Sequence, residues 1–190
     1  MATIREGHKA VLLVVDVQVG VMQDAWDAPR VVKNVSRVVE RARAASVPVL
    51  WVQHSDKELA YGSQAWQWVP ELVPADDEPR IHKQFNSSFE RTALEEELAR
   101  CGATHIVLAG AASNWCIRAT AHGALERGYD LTLVKDAHTT GSIELDSGVT
   151  IEAQDVVREL NLAMTWLSYP GRTNGIATAE AVSFEAPVPA

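Results

Sequence analysis

His105-Ile-Val-Leu-Ala109, continuing as Gly110-Ala-Ala-Ser-Asn-Trp-Cys116 and Ile117-Arg-Ala-Thr-Ala121, decides the reading of this chain. The apolar run 105–109 reads as a buried strand. Trp115 to Arg127 reads as an amphipathic helix, with Ser113 or Asn114 as its cap and Gly128 as its C-terminal stop. A thiol in the first turn of a helix faces backbone N–H groups without helical partners and the positive end of the macrodipole. Both favour the thiolate, which is the nucleophilic form. The same N–H groups can hold a developing oxyanion. A free cysteine is also a common small core residue, so the rest of the chain must discriminate.

Working outward, short apolar runs alternate with helical patterns. Ala10 to Val15 is a buried strand ended by Asp16. Asp27 and Pro29 start a helix whose Val31, Val35, Val38 and Ala42 share one face. Val47 to Gln53 is a second strand. From His54 to Pro79 the pattern breaks into an irregular stretch rich in Trp, Pro, Ser and Asp, with one turn of helix expected at Ser63 to Trp68. Such a stretch suits a binding loop. Arg80 to Lys83 is a third strand, and Thr92-Ala-Leu-Glu95 is a capping box opening a helix to Arg100. After the Cys116 unit, Leu131 to Val134 is a fifth strand and Thr150 to Leu167 a long helix. Thr178 to Phe184 is a last edge strand, followed by a loose Pro-containing tail.

This alternation predicts an α/β fold: a three-layer sandwich with a sheet of about six mostly parallel strands and helices on both faces. The 190 residues suit a single domain with its core over about residues 10–184. A net charge of −8 speaks against a nucleic-acid or anionic-membrane binder, since both need basic stripes. Two cysteines make no disulfide-rich scaffold. The polar start Met1-Ala-Thr-Ile-Arg-Glu6 lacks the apolar core of a signal peptide, and no run approaches a membrane span, so a cytoplasmic location is expected.

Ligands of parallel sheets bind beyond the carboxyl ends of the strands, at the switch point. Asp16 ends strand one, Lys83 strand three, and Cys116 follows strand four. Singly these are weak signals: Asp16 also suits an Asx turn and Lys83 an edge-strand gatekeeper. Jointly they supply a nucleophile in Cys116, a proton carrier in Asp16 and electrostatic support in Lys83, the parts of a cysteine hydrolase.

With these residues in view, the chain resembles the isochorismatase-like cysteine hydrolases, a family that includes nicotinamidases and N-carbamoyl amidases. The resemblance runs from about Ala10 to Leu167. It rests on Leu13-Val-Val-Asp16-Val-Gln18, His82-Lys83 with Ser88-Phe89, Gly110-Ala-Ala-Ser-Asn-Trp-Cys116-Ile117, and Val134-Lys-Asp136-Ala137. It implies that Asp16, Lys83 and Cys116 form a catalytic triad. It also implies a cis bond at Ala111–Ala112, oxyanion donors at the N–H groups of Ala112 and Cys116, and a homodimer or higher homo-oligomer. Metal-binding relatives resemble Asp-x-His after the second strand. Here the order is reversed, His54-Ser55-Asp56, and no His lies between 55 and 81, which disfavours a metal; no cofactor is expected. The expected function is cleavage of a C–N bond (amide, carbamoyl or lactam) in a small molecule through a thioester. The alternatives are an isochorismatase-type ether hydrolase and a non-catalytic thiol redox or binding protein.

Gln18, His54, Trp66, Phe85, Asn86 and Trp115 are the candidate pocket residues. His54, His82 or His138 is a rival partner for Cys116 in a Cys-His mechanism. Arg118 and Asp136 suit solvated or structural roles. Trp51 is expected in the core and Trp166 in helix packing.

Overall fold

Along Ala10–Val15 (β1), Val11, Leu13 and Val15 join one hydrophobic cluster and Leu12 and Val14 another, and all five are fully buried. A strand buried on both faces belongs inside a parallel sheet covered by helices on each side. The computed structural model, which describes residues 2–185, has that arrangement.

After β1 come α1 (Val19–Met22), α2 (Ala28–Ala44), β2 (Val49–His54), β3 (Arg80–Lys83), α3 (Leu94–Arg100) and β4 (His105–Ala111). A π-helical turn (Ser113–Ile117) leads into α4 (Arg118–Glu126) and β5 (Asp130–Thr139). A hairpin of β6 (Ile143–Glu144) and β7 (Thr150–Ile151), then α5 (Ala153–Trp166) and β8 (Asn174–Ala177), complete the order. The six-stranded sheet runs β3-β2-β1-β4-β5-β8, and every pair is parallel. Strand order reverses between β1 and β4, which makes their carboxyl ends the switch point.

On one face, α2 lays Val31, Val35, Val38 and Ala42 on Leu12, Val14 and the buried Trp51. Proline in its first turn and Arg41 and Arg43 in its last suit the helix geometry and dipole. The other face is covered by Leu94 and Leu98 of α3, Ala121 and Leu125 of α4, and Leu160 and Met164 of α5.

Several elements differ from the sequence expectation. Helix does not begin at Trp115: the π turn intervenes, and neither Ser113 nor Asn114 caps it with a side-chain bond. Their side chains bind β5 and the segment after it instead. Thr92 accepts the N–H of Leu94 rather than completing a capping box, and α3 starts at Leu94. β5 runs past Val134 because its pairing with β4 shifts register between Leu108 and Gly110 and resumes at His138 and Thr139, which are therefore strand residues, not loop. The last strand is Asn174–Ala177, whereas 178–184 turns away after it. Ser63 to Trp68 forms turns without a helix, and Thr150 and Ile151 pair in the hairpin before α5. Trp166 is 80% exposed, not packed. The end of the tail, residues 186–190, lies outside the described residues.

Candidate active site

Asp16 leaves β1 with φ +51°, in the left-handed region that a short polar residue tolerates. Its N–H is held by the carbonyl of Val52 at 2.9 Å. Lys83 is the last residue of β3, beside His54 of β2 in parallel register, and is 1% exposed. Cys116 sits in the π turn after β4, 8% exposed. Gly110 brings that turn against β1. Its φ is +128°, and a Cβ there would lie 1.9 Å from the carbonyl oxygen of Val15, so only glycine allows the approach. The following Ala111–Ala112 peptide is cis.

These elements bring the three side chains together. Lys83 Nζ lies 2.7 Å from Asp16 Oδ2 and donates to Cys116 Sγ at 3.1 Å. Burial pushes the Asp16 carboxyl above its ordinary range, and the Lys83 ammonium offsets only part of that. Burial pushes Lys83 down, but Asp16 and Cys116 outweigh it and hold it above the ordinary lysine value. Burial, then the Asp16 charge, pushes the Cys116 thiol up to about 12 despite Lys83. The sequence expectation of a resting thiolate is therefore corrected. A helix start favours the thiolate, but the low-dielectric surroundings and the neighbouring carboxylate oppose it more strongly.

Charge balance explains what the cluster can do. Ionised Asp16 and Lys83 with a neutral thiol carry no net charge. Ionising the thiol alone would leave one uncompensated buried negative charge, which is costly. Moving the Cys116 proton onto Asp16 keeps the total unchanged. The arrangement thus favours a sulfur that becomes nucleophilic as it hands its proton to Asp16.

Surrounding contacts fasten the site. Asn161 Nδ2 donates to the carbonyl of Lys135, so its Oδ1 is the atom facing His138 and accepts from His138 Nε2 at 3.1 Å. His138 Nδ1 then accepts from the Ser113 hydroxyl at 2.8 Å. Thr140 donates to Asn114 Oδ1 at 2.6 Å, and Ser88 and Thr120 tie the loop after Lys83 to α4. None of these pairs was singled out from sequence; each joins residues far apart in the chain.

The candidate pocket residues divide. His54 meets the cluster: its Nδ1 is 3.3 Å from Lys83 Nζ. Gln18 is fully buried and serves the backbone, donating to the carbonyls of His54 and Trp66 and accepting from the His54 N–H, so it is a brace, not a pocket wall. Trp66 is half-buried and packs on Tyr61 at 4.6 Å between ring centres. Trp115 is 54% exposed beside Cys116. Phe85 and Asn86 are exposed, with Arg91 over the Phe85 ring. Of the rival histidines, His82 binds Ser55 and His138 binds Ser113, while His54 contacts the lysine. Arg118 pairs with Glu159, and Asp136 accepts the N–H of Ala179.

A cavity of about 450 Å³ lined by His8, His105, Asp130 and Asn174 lies at the other end of the sheet, where β4, β5 and β8 begin, away from the cluster. Among the described residues no set of three His, Cys, Asp or Glu side chains is placed to hold a metal ion, and no helix is long and apolar enough to cross a membrane.

Residues 10–159 match the isochorismatase domain model. A streptothricin hydrolase of Streptomyces noursei is 32% identical over 146 residues, covering 73% of this chain and 58% of that protein. A maleamate amidohydrolase of Pseudomonas putida is 28% identical over 123 residues, 58% of each chain. The chain thus spans about three-fifths of the length of these curated relatives. The crystal structure of an isochorismatase from Pseudomonas putida KT2440 superposes with a TM-score of 0.81 at 24% identity, covering 93% of this chain and 92% of that one, a likeness of fold. With the domain model spanning β1 to α5, this chain belongs to the isochorismatase family.

Proposed function

We propose that the protein is a cysteine-dependent hydrolase that cleaves a C–N bond in a small molecule. Cys116 Sγ attacks the carbonyl carbon as its proton passes to Asp16. The N–H groups of Ala112 and Cys116 receive the oxyanion. Asp16 then gives the proton to the departing nitrogen, the C–N bond breaks, and a thioester remains. Water attacks the thioester, losing its proton to Asp16, and the acid leaves as that proton returns to the sulfur. Lys83 keeps the site's charge balanced throughout.

The observation that carries this reading is the Lys83 ammonium, 2.7 Å from Asp16 and 3.1 Å from Cys116. The relative that acts on maleamate, named an amidohydrolase, supports the bond class. A redox-sensing thiol is solvent-accessible with a lowered pKa, whereas Cys116 is buried and burial pushes its thiol up, which supports the hydrolase reading over the sensor. The exposed apolar side chains Trp115, Leu162 and Trp166 support self-association into a homo-oligomer, which sedimentation measures directly.

The test is a panel of primary amides, carbamoyl compounds and lactams, read by ammonia or amine release and by intact mass. An acyl adduct on the parent protein, absent from folded Cys116→Ala, is the expected result. Undiminished turnover of the panel by Cys116→Ala and Cys116→Ser removes the thiol from the chemistry, and an isochorismate cleavage activity untouched by Cys116→Ala favours ether hydrolysis.

A further inference from the structure

An ammonium has three N–H donors, and Lys83 has three partners around it: Asp16 Oδ2 in an ion pair at 2.7 Å, and Cys116 Sγ at 3.1 Å and His54 Nδ1 at 3.3 Å within hydrogen-bond reach. The first two belong to the reaction proposed above. The third has no role in it. His54 reaches Lys83 because the two are register partners on adjacent parallel strands, which puts their side chains on the same face of the sheet.

Lys83 can only donate, so the His54 nitrogen facing it must carry a lone pair. The ring proton then sits on Nε2, which lies 3.1 Å from Asp56 Oδ2. Asp56 is fixed in turn. Its Oδ1 accepts the N–H groups of Glu58 at 2.9 Å and Leu59 at 2.7 Å, and the Leu59 bond is the main reason its carboxyl is held below the usual range. The backbone of His54 is clamped from the other side by Gln18, at 2.8 Å to the N–H and 3.0 Å to the carbonyl.

We propose that His54 and Asp56 are positioning residues for Lys83: Asp56 locks His54 in the Nε2–H tautomer, and the bare Nδ1 fixes the third ammonium hydrogen so that the other two point at Asp16 and Cys116. A surface ion pair between a protonated His54 and Asp56 is the competing account. It would set an Nδ1–H head-on against the ammonium at 3.3 Å, a like-charge contact that the fold has no reason to build. The proposal rests on the hydrolase reading for its turnover measurement but not for its spectroscopic one.

Asp56→Asn separates the accounts. Asparagine keeps an oxygen for the Glu58 and Leu59 N–H groups but turns an NH₂ donor toward His54, forcing the imidazole proton onto Nδ1. Nitrogen-15 NMR of the histidine rings should report the Nε2–H tautomer for His54 in the parent and Nδ1–H in Asp56→Asn. Turnover should fall roughly 10–100-fold with little change in KM, the size of one lost hydrogen bond to a charged group. Alkylation of Cys116 by iodoacetamide, followed in a Cys101→Ser background, should slow by a similar factor. His54→Asn, which restores an acceptor near the Nδ1 position, should keep more activity than His54→Leu. An imidazolium or Nδ1–H tautomer in the parent overturns the proposal, as does a tautomer shift in Asp56→Asn that leaves both turnover and alkylation unchanged. A parent protein that turns over no amide instead defeats the hydrolase reading, and the tautomer and alkylation results then decide this one alone.

Discussion

Replacing Lys83 by methionine keeps the length of the side chain and removes its charge, leaving the buried Asp16 carboxylate without its cation. At 2.7 Å and an effective dielectric of about 20, the lost attraction is roughly 6 kcal/mol. Asp16 has a way to reduce that cost: it can bind a proton. Protonating a carboxyl whose unfolded pKa is about 3.9 costs about 5 kcal/mol near pH 7.5 and about 2 kcal/mol near pH 5.5, which caps the destabilisation at those values. The sign follows from proton counting. In Lys83→Met the folded state holds a proton on Asp16 that the unfolded state has released, so stability falls as pH rises above about 3.9. The deficit relative to the parent protein should therefore grow between those two pH values by at most about 3 kcal/mol, since the raised Asp16 carboxyl of the parent carries part of the same dependence. Asp16→Asn combined with Lys83→Met buries two neutral groups in the same volume and should show a small deficit that is level with pH. Urea unfolding at several pH values measures all three proteins. A Lys83→Met deficit that is flat with pH, or a double variant as weak as the single one, would refute the buried-charge account. On the proposed mechanism both variants should lack amide turnover, since Asp16→Asn removes the proton acceptor and Lys83→Met alone keeps it protonated.

Two further outcomes follow from the geometry. Gly110→Ala sets a methyl group 1.9 Å from the Val15 carbonyl oxygen at a φ of +128°; overpacking and backbone strain of about 1–3 kcal/mol each should lower stability and remove activity together, as urea unfolding and the amide panel would read. A fully active, equally stable Gly110→Ala would mean that β1 and β4 do not approach as described. Burial holds His105 and His138 at about 4, below the ordinary 6.5. Each takes up a proton on unfolding between those limits, so stability falls as pH drops through that window by up to about 1.4 kcal/mol per unit for each histidine. The difference in slope between the parent protein and His138→Gln should amount to about one proton, and identical slopes would contradict a buried neutral His138.

Much of the frame was legible in the chain. Ala10–Val15 and Ile106–Ala109 are apolar without interruption, as a parallel strand covered on both faces requires. Asp16, Lys83 and Cys116 could be grouped because each ends or follows a different strand, and topology then sets them on one rim. Other features were hidden for definite reasons. Lys135 and Asp136 sit where β5 slips against β4, so the strand looked finished before its last five residues. Asn174-Gly-Ile-Ala177 carries too little apolar signal to be preferred over the run after Thr178. Local reasoning at the helix start predicted an ionised sulfur, because neither the burial of Cys116 nor the approach of Asp16 is a local property. The pairing of His54 with Lys83 depends on strand register, which periodicity alone does not supply.

Asp16, Lys83 and Cys116 lie at the ends of different strands, joined only through the pairings β3-β2, β2-β1 and β1-β4. Until all of those contacts close, the sulfur lacks at least one of the two side chains that it meets in the finished sheet. The juxtaposition is therefore absent from every partly assembled form, on the ribosome or during refolding, and arrives only with the completed molecule. Spreading its members across the sheet makes the cluster a property of the whole layer, which no single segment of the chain can assemble alone.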